Sequence, residues 1–170
     1  MYLFLLILKC VNTSFATDSS SSLYHVVNTG AVMGYIHVEN DKELFANPHV
    51  YSIGIENTHL FYSEGPLQIL IGGELSLLGL NQSVYIPSGN LNLGYQYYDV
   101  FVSLGPRVML SEISPTNTSI RTNIIIKAGY IFDMQGFCIP IQFGYVPDIQ
   151  GRNQIHFSLG FSKVLRADER

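Results

Sequence analysis

Ile155-His156-Phe157-Ser158-Leu159-Gly160-Phe161-Ser162 decides the fold. Every odd position carries a large apolar side chain, and every even position carries a polar or minimal one. A period of two is the signature of a strand with two different environments. The same dyad recurs upstream. Phe137, Ile139, Ile141, Phe143 and Tyr145 stand opposite Gln142 and Gly144, and Ile124, Ile126, Ala128, Tyr130 and Phe132 stand opposite Asn123, Lys127 and Gly129. Leu91, Leu93, Tyr95 and Tyr97 oppose Asn90, Asn92, Gly94 and Gln96, while Leu67, Ile69, Ile71, Leu75 and Leu77 oppose Gln68, Gly72, Glu74 and Ser76. No helical period is sustained. Eight strand-like runs are read, over 24–38, 49–62, 67–78, 88–98, 100–112, 119–133, 137–147 and 154–164.

Composition says what the apolar face meets. Of the 170 residues 47% are apolar and only 13% charged, about half the charged content usual for a globular chain. Much of the surface therefore does not face water. Past the N-terminal segment, no apolar stretch approaches the roughly 20 residues of a membrane helix. If the chain spans a membrane, it does so with strands. The net charge of −4 and the lack of a basic run argue against nucleic acid as a partner.

The N-terminal segment reads as a secretory signal over 1–16. Leu3 to Leu8 form the apolar region, and Ser14-Phe15-Ala16 resembles a small-x-small cleavage site. Lys9 before Cys10 disfavours a lipoprotein reading. Cleavage removes Lys9 and Cys10, giving a mature charge of −5 and leaving Cys138 without an intramolecular partner. A disulfide-held scaffold is thereby excluded. Residues 17–23, with Thr17, Asp18 and the serines that follow, form a polar leader. The barrel is placed over 24–165 and a charged tail over 166–170.

The links between runs alternate in length. Those around Glu39-Asn40-Asp41-Lys42-Glu43, Asn81 to Pro87, Ser114-Pro115-Thr116-Asn117 and Pro147 to Asn153 read as long, and those at Ser63-Glu64-Gly65, Tyr98-Asp99 and Met134-Gln135-Gly136 as tight. Short periplasmic turns and longer external loops are the habit of outer-membrane barrels, and with both termini periplasmic the phase is right at all seven links. Phe61, Tyr62, Tyr95, Tyr97, Tyr98, Tyr130, Phe132 and Phe161 fall where an interfacial aromatic girdle is expected.

On these runs, links and aromatics the chain resembles the small eight-stranded outer-membrane barrels, of the opacity-protein or OmpA-transmembrane-domain kind. The resemblance covers nearly all of the mature chain and rests on pattern, with no residue motif anchoring it. It implies an all-β, closed, antiparallel, up-and-down transmembrane barrel of eight strands in the bacterial outer membrane. Outer-membrane lipids, the barrel assembly machinery and a surface ligand at the external loops are the implied partners. In such barrels a terminal aromatic residue serves assembly. Here Leu165 stands at that place, and Arg166 to Arg170 follow.

Two features strain the pattern. Pro106 and Pro140 lie inside predicted strands of a barrel without edges, so each must remove a ladder hydrogen bond or mark a bulge. Asn57 and His59 fall on the lipid-facing parity, which predicts a bulge or strand end near Glu56.

Eight strands enclose an interior that side chains just fill. Gly54, Gly72, Gly94, Gly105, Gly129, Gly144 and Gly160 take the inner parity, as do Glu56, Glu74, Arg107 and Lys127. Two acids and two bases in a narrow lumen predict a paired network, because isolated charges there are costly. It serves as a structural plug or, alternatively, as a gate or proton path. A diffusive porin is disfavoured either way.

No catalytic, cofactor or metal site is expected. His156 and Ser158 share a face, and lipid A deacylase barrels use a His-x-Ser pair with Ser158 in the role of nucleophile and His156 of base. However, Leu159 stands where that family has asparagine, and the pair faces the lumen. His25, His37, His49, His59 and His156 lack metal-ligand spacing. Gly72-Gly73 precedes no Lys-Ser or Lys-Thr pair, as a phosphate loop would require. The sequons at Asn81 and Asn117 carry no meaning in a bacterial chain. A role in structure or surface interaction is expected. The alternatives are a secreted lipocalin-like barrel binding an apolar ligand, and the lipid-A-modifying enzyme. The lipocalin reading requires an apolar inside and a polar outside, the reverse of the parity found, and the chain has no tryptophan.

Overall fold

A computed structural model describes residues 24–41, 44–62, 66–114, 117–134 and 136–166. The predicted signal segment 1–16, the leader 17–23 and the tail beyond Arg166 lie outside the described residues. Eight antiparallel strands close in sequence order into a barrel. They are β1 (Tyr24–Val38), β2 (His49–Tyr62), β3 (Leu67–Leu78), β4 (Ile86–Tyr97), β5 (Val100–Ser114), β6 (Asn117–Met134), β7 (Phe137–Val146) and β8 (Gln154–Arg166). The three-residue helical turn Leu80–Gln82 lies between β3 and β4. Among the described residues no helix is long and apolar enough to cross a membrane.

Register fixes the barrel's dimensions. Cross-strand register partners lead from Val26 through Leu60, Leu70, Gly94, Ser103, Lys127, Gly144 and His156 back to Ile36. One circuit thus climbs ten residues along β1. Eight strands with that offset tilt by about 41° and enclose a backbone radius of about 8 Å, at ordinary strand spacing and rise.

The dyads sort as the sequence predicts. On β8, Ile155, Phe157, Leu159 and Phe161 are exposed on the outside, while Gln154, Gly160 and Ser162 are buried inside. Met33, Ile55, Ile71, Leu93, Val102, Ile124 and Phe143 continue the outer apolar surface around the barrel. Tyr95, Tyr97, Tyr98, Tyr130, Phe132 and Phe161 stand exposed toward the end where β1 begins and β8 finishes, and Tyr51, Tyr85 and Tyr145 toward the other. Phe61 and Tyr51 lie ten positions apart on β2. At about 2.5 Å of axial rise per tilted residue they bracket a band about 25 Å tall, the height of an outer-membrane barrel's apolar belt.

Several expectations are corrected. The β1–β2 and β2–β3 registers run unbroken past Glu56, which pairs with Gly30 on one side and Glu74 on the other. The strands pair without a bulge there: Asn57 Nδ2 donates to Thr29 Oγ1 at 2.6 Å, and His59 stacks on Phe61, while Asn57 Oδ1 has no partner. Among the described residues a register shift falls instead in the β5–β6 ladder, between Glu112 and Ser114. The fifth link does not follow the length alternation. β5 and β6 extend to Ser114 and Asn117, leaving only residues 115–116 between them.

Both prolines interrupt a ladder without shifting it. The β4–β5 pairing skips from Asn90↔Arg107 to Leu93↔Leu104, and the β7–β8 pairing skips from Cys138↔Ser162 to Ile141↔Leu159. Pro106 and Pro140 remain paired with Ile124 and Ile131 on their other sides. A proline lacks one donor, so only one of its two ladders opens. Gly105 lets the strands close up at the first gap, since a Cβ there would collide with the Leu91 carbonyl.

Candidate functional site

The interior is layered along the barrel axis. Toward the end opposite the termini, external in barrels of this kind, Ile36, Val38, Val50, Leu78, Ile86 and Met109 point inward and pack with Phe45 into one buried cluster. Phe45 comes from the β1–β2 link. That link turns back over the opening, with the amides of Leu44 and Phe45 donating to the Asp41 carbonyl. The Asp41 carboxylate meets Arg121 Nη1 at 2.7 Å, binding the link to β6 across the mouth. Toward the other end, Leu60, Leu70, Phe101, Ile131 and Cys138 form a second buried cluster, with Val26 against it. The Phe101 ring lies over Gly129, where a Cβ would stand 2.6 Å from two ring carbons. Sequence reasoning missed both clusters. Their signal was present in the apolar residues at the inward positions near the strand ends.

The four predicted lumen charges lie between these clusters, and all four side chains point inward. Lys127 Nζ contacts Glu74 Oε2 at 2.5 Å, and Asn90 Nδ2 donates to the same oxygen at 3.2 Å. Glu56 and Glu74 are direct cross-strand neighbours on β2 and β3. Glu56 takes its hydrogen bonds from neutral donors, Gln142 Nε2 at 2.8 Å and Ser162 Oγ at 3.4 Å. Arg107 is 2% exposed, yet it meets no carboxylate directly. It donates through Nε to Ser88 Oγ at 3.0 Å and through Nη1 to Gln154 Oε1 at 2.6 Å and His156 Nε2 at 3.0 Å. Its Nη2 has no partner. Among the four, Lys127 and Glu74 form a direct ion pair, while Glu56 and Arg107 are held by amides, hydroxyls and an imidazole. The cause is register. Arg107 stands four positions beyond Ser103, the β5 partner of Lys127, and so above the carboxylate layer.

Two small cavities lie against this layer. One of about 30 Å³ is bounded by Asn28, Glu56, Leu70, Phe101, Lys127 and Gln142. The other, of about 20 Å³, is bounded by Ser52, Glu74, Lys127, Gln142, His156 and Ser158. Each has room for one or two waters, and the Asn28 and Gln142 carbonyl oxygens beside them have no protein partner.

His156 and Ser158 face the lumen, as their parity requires. A guanidinium only donates, so His156 Nε2 must accept from Arg107 and its proton sits on Nδ1. The 3.3 Å approach of Nε2 to Gln154 Oε1 is then a contact, not a hydrogen bond. The nitrogen that a serine would need as its base is occupied by a cation. Among the described residues no three His, Cys, Asp or Glu side chains converge as a metal site.

The external links brace one another. Glu39 N donates to the Asn153 carbonyl at 2.9 Å, and Asn153 Nδ2 returns to Glu39 Oε2 at 3.1 Å. Gln82 and Asn81, on the helical turn, bind the backbone of Asn47, His49 and Tyr51. Asp148 and Arg152 pair at 3.2 Å within the last link, whose Ile149 is wholly exposed.

The sequence matches no protein-family model. No curated protein matches it either. Solved structures do match in fold. The attachment invasion locus protein Ail of Yersinia pestis aligns with 84% of this chain and 99% of its own, at 14% identity and a TM-score of 0.57. The N-terminal β-barrel domain of Pseudomonas aeruginosa OprF aligns with 83% of this chain and 97% of its own, at 12% identity and a TM-score of 0.50. A closed eight-stranded barrel, wrapped in an apolar belt between two aromatic girdles, gives this chain the fold of the small bacterial outer-membrane β-barrels.

Proposed function

We propose that the chain is a sealed outer-membrane barrel whose activity resides at its external surface, in structure or partner contact, and not in transport through its lumen. The observation that carries this reading is the pair of apolar clusters, one closed over by Phe45 and the other by Phe101, on either side of the charged layer. An open channel needs a continuous polar path. The four charged side chains lie between these two apolar clusters, and the two cavities beside them are of about 30 and 20 Å³, which supports a lumen closed to solutes. The four lumen charges act on this reading as an internal strut that balances to zero and fixes the inner side chains.

The external links carry the acids Glu39, Asp41, Glu43 and Asp148 against Lys42 and Arg152. Ail was solved with the heparin analogue sucrose octasulfate. Asp41 is neutralised by Arg121 and Asp148 by Arg152, which leaves Glu39 and Glu43 against Lys42; the links present no basic cluster for a polyanion, so the surface partner of this chain is neutral or cationic. The test is reconstitution of the purified full chain in planar bilayers and in liposomes. The expected result is no conductance steps and no swelling in the smallest sugars. Stable conductance steps from the wild-type chain would overturn the sealed-barrel reading.

A further inference from the structure

The outer face of the external rim holds a constellation that closure of the barrel does not use. His37 and His49 are direct cross-strand partners on β1 and β2. Their ring centroids lie 5.4 Å apart, with planes inclined by 47°. Backbone pairing, which sets opposed Cβ atoms about 4.5–5.5 Å apart, brings these imidazoles to one place.

That separation has a chemical meaning. An imidazole bound to a tetrahedral ion at about 2.0–2.1 Å puts its ring centroid roughly 3.2 Å from the ion, so two such rings stand about 5.2 Å apart. The observed spacing matches this without movement of the strands.

The second partner of His49 is also in place. The Tyr35 hydroxyl lies 2.5 Å from His49 Nδ1, and the two rings stack at 5.8 Å. In the tautomer with the proton on Nδ1 the phenol oxygen accepts from it, and Nε2 keeps its lone pair for a ligand. Metal-binding histidines are oriented in this manner by an acceptor on the other ring nitrogen. The backbone of His49 is held as well. Its carbonyl accepts from Asn81 Nδ2 at 2.8 Å and from Gln82 Nε2 at 2.9 Å, and its amide donates to Asn47 Oδ1 at 3.0 Å. Binding geometry is kept best where supporting contacts lock the ligands.

We propose that His37 and His49 bind one divalent transition-metal ion of the zinc, nickel or copper type at the outer rim, with Tyr35 as a positioning residue. Water completes the coordination sphere. Imidazole nitrogen selects these ions over calcium and magnesium, which take oxygen ligands. The site is independent of the lumen and of whether the barrel conducts.

The experiment is calorimetric titration of the untagged full chain, folded in detergent micelles, with Zn2+ and then Ni2+. The expected result is one ion per chain. His37→Gln and His49→Gln should each weaken binding at least tenfold, and Tyr35→Phe should weaken it by roughly 10–100-fold, the usual effect of losing an orienting partner. His59→Gln, on the outer face toward the other end of β2, should leave it unchanged. A gel-mobility shift between boiled and unboiled samples establishes that each variant is folded. No binding at millimolar Zn2+, or folded His49→Gln binding as tightly as the wild type, would overturn the proposal. So would half an ion per chain with ion-dependent dimerisation.

Discussion

Replacing Lys127 with methionine should destabilise the barrel by about 3–5 kcal/mol, the cost of removing one partner from a buried ion pair. The magnitude follows from the arrangement of the carboxylates. Lys127 and Glu74 have side chains only 8% and 15% exposed. Glu74 faces Glu56 across the β2–β3 ladder, and Lys127 bonds Glu74, so its charge offsets the repulsion between the two acids. Its loss leaves both acids in a confined space with only amide and hydroxyl donors. The double variant Lys127→Met, Glu74→Gln should behave otherwise. Glu56 keeps Gln142 and Ser162, and the repulsion disappears. The double variant should therefore cost less than half the sum of the two single variants, since groups in direct contact are not additive. Urea unfolding in detergent, read from the fraction that retains folded mobility on unboiled gels, measures each cost. A loss under about 1 kcal/mol for Lys127→Met, small beside the usual cost of breaking a buried pair, or strict additivity in the double variant, would refute the assignment of Lys127 as the counter-ion of Glu74.

Other positions probe the remaining layers. Phe101→Ala should cost about 3–5 kcal/mol by opening a cavity beneath the ring, with no conductance in bilayers because the Phe45 cluster still closes the other end; a conducting Phe101→Ala would contradict the two-plug account. Gly129→Val should destabilise by at least about 1–3 kcal/mol through overpacking against Phe101, measured by the same unfolding assay. Leu93, exposed on the outer face, should tolerate arginine poorly, by about 2–4 kcal/mol in a bilayer; a water-facing position would register almost nothing.

The strand plan was legible because period-two alternation specifies which side chains share a face. The β8 dyad placed Phe157 and Phe161 outside and Ser162 inside before any coordinates. Closure was expected from the resemblance, but the stagger with which the strands close was not legible. Alternation fixes parity, but any even slip of register satisfies it equally, so the ten-residue climb from Val26 to Ile36 had to be observed. The partners of Arg107 depend on that climb, since Ser88 and Gln154 come from β4 and β8. Phe45 and Asp41 sit in a link that reads only as long and charged, yet both are buried. A single apolar residue in a polar link carries no periodicity to reveal its anchor role. The His37–His49 pair escaped a search for metal spacing along the chain because its spacing exists only across strands.

The central claim is that the outer apolar face meets lipid. The chain has no tryptophan, so one introduced at a chosen position reports its surroundings without background. Leu93→Trp on the belt and Ile149→Trp at the external link should be compared in bilayers of lipids brominated along their chains. The account predicts strong quenching at position 93 and little at position 149, with aqueous iodide giving the reverse. Emission from position 93 that iodide quenches and brominated chains do not would contradict it.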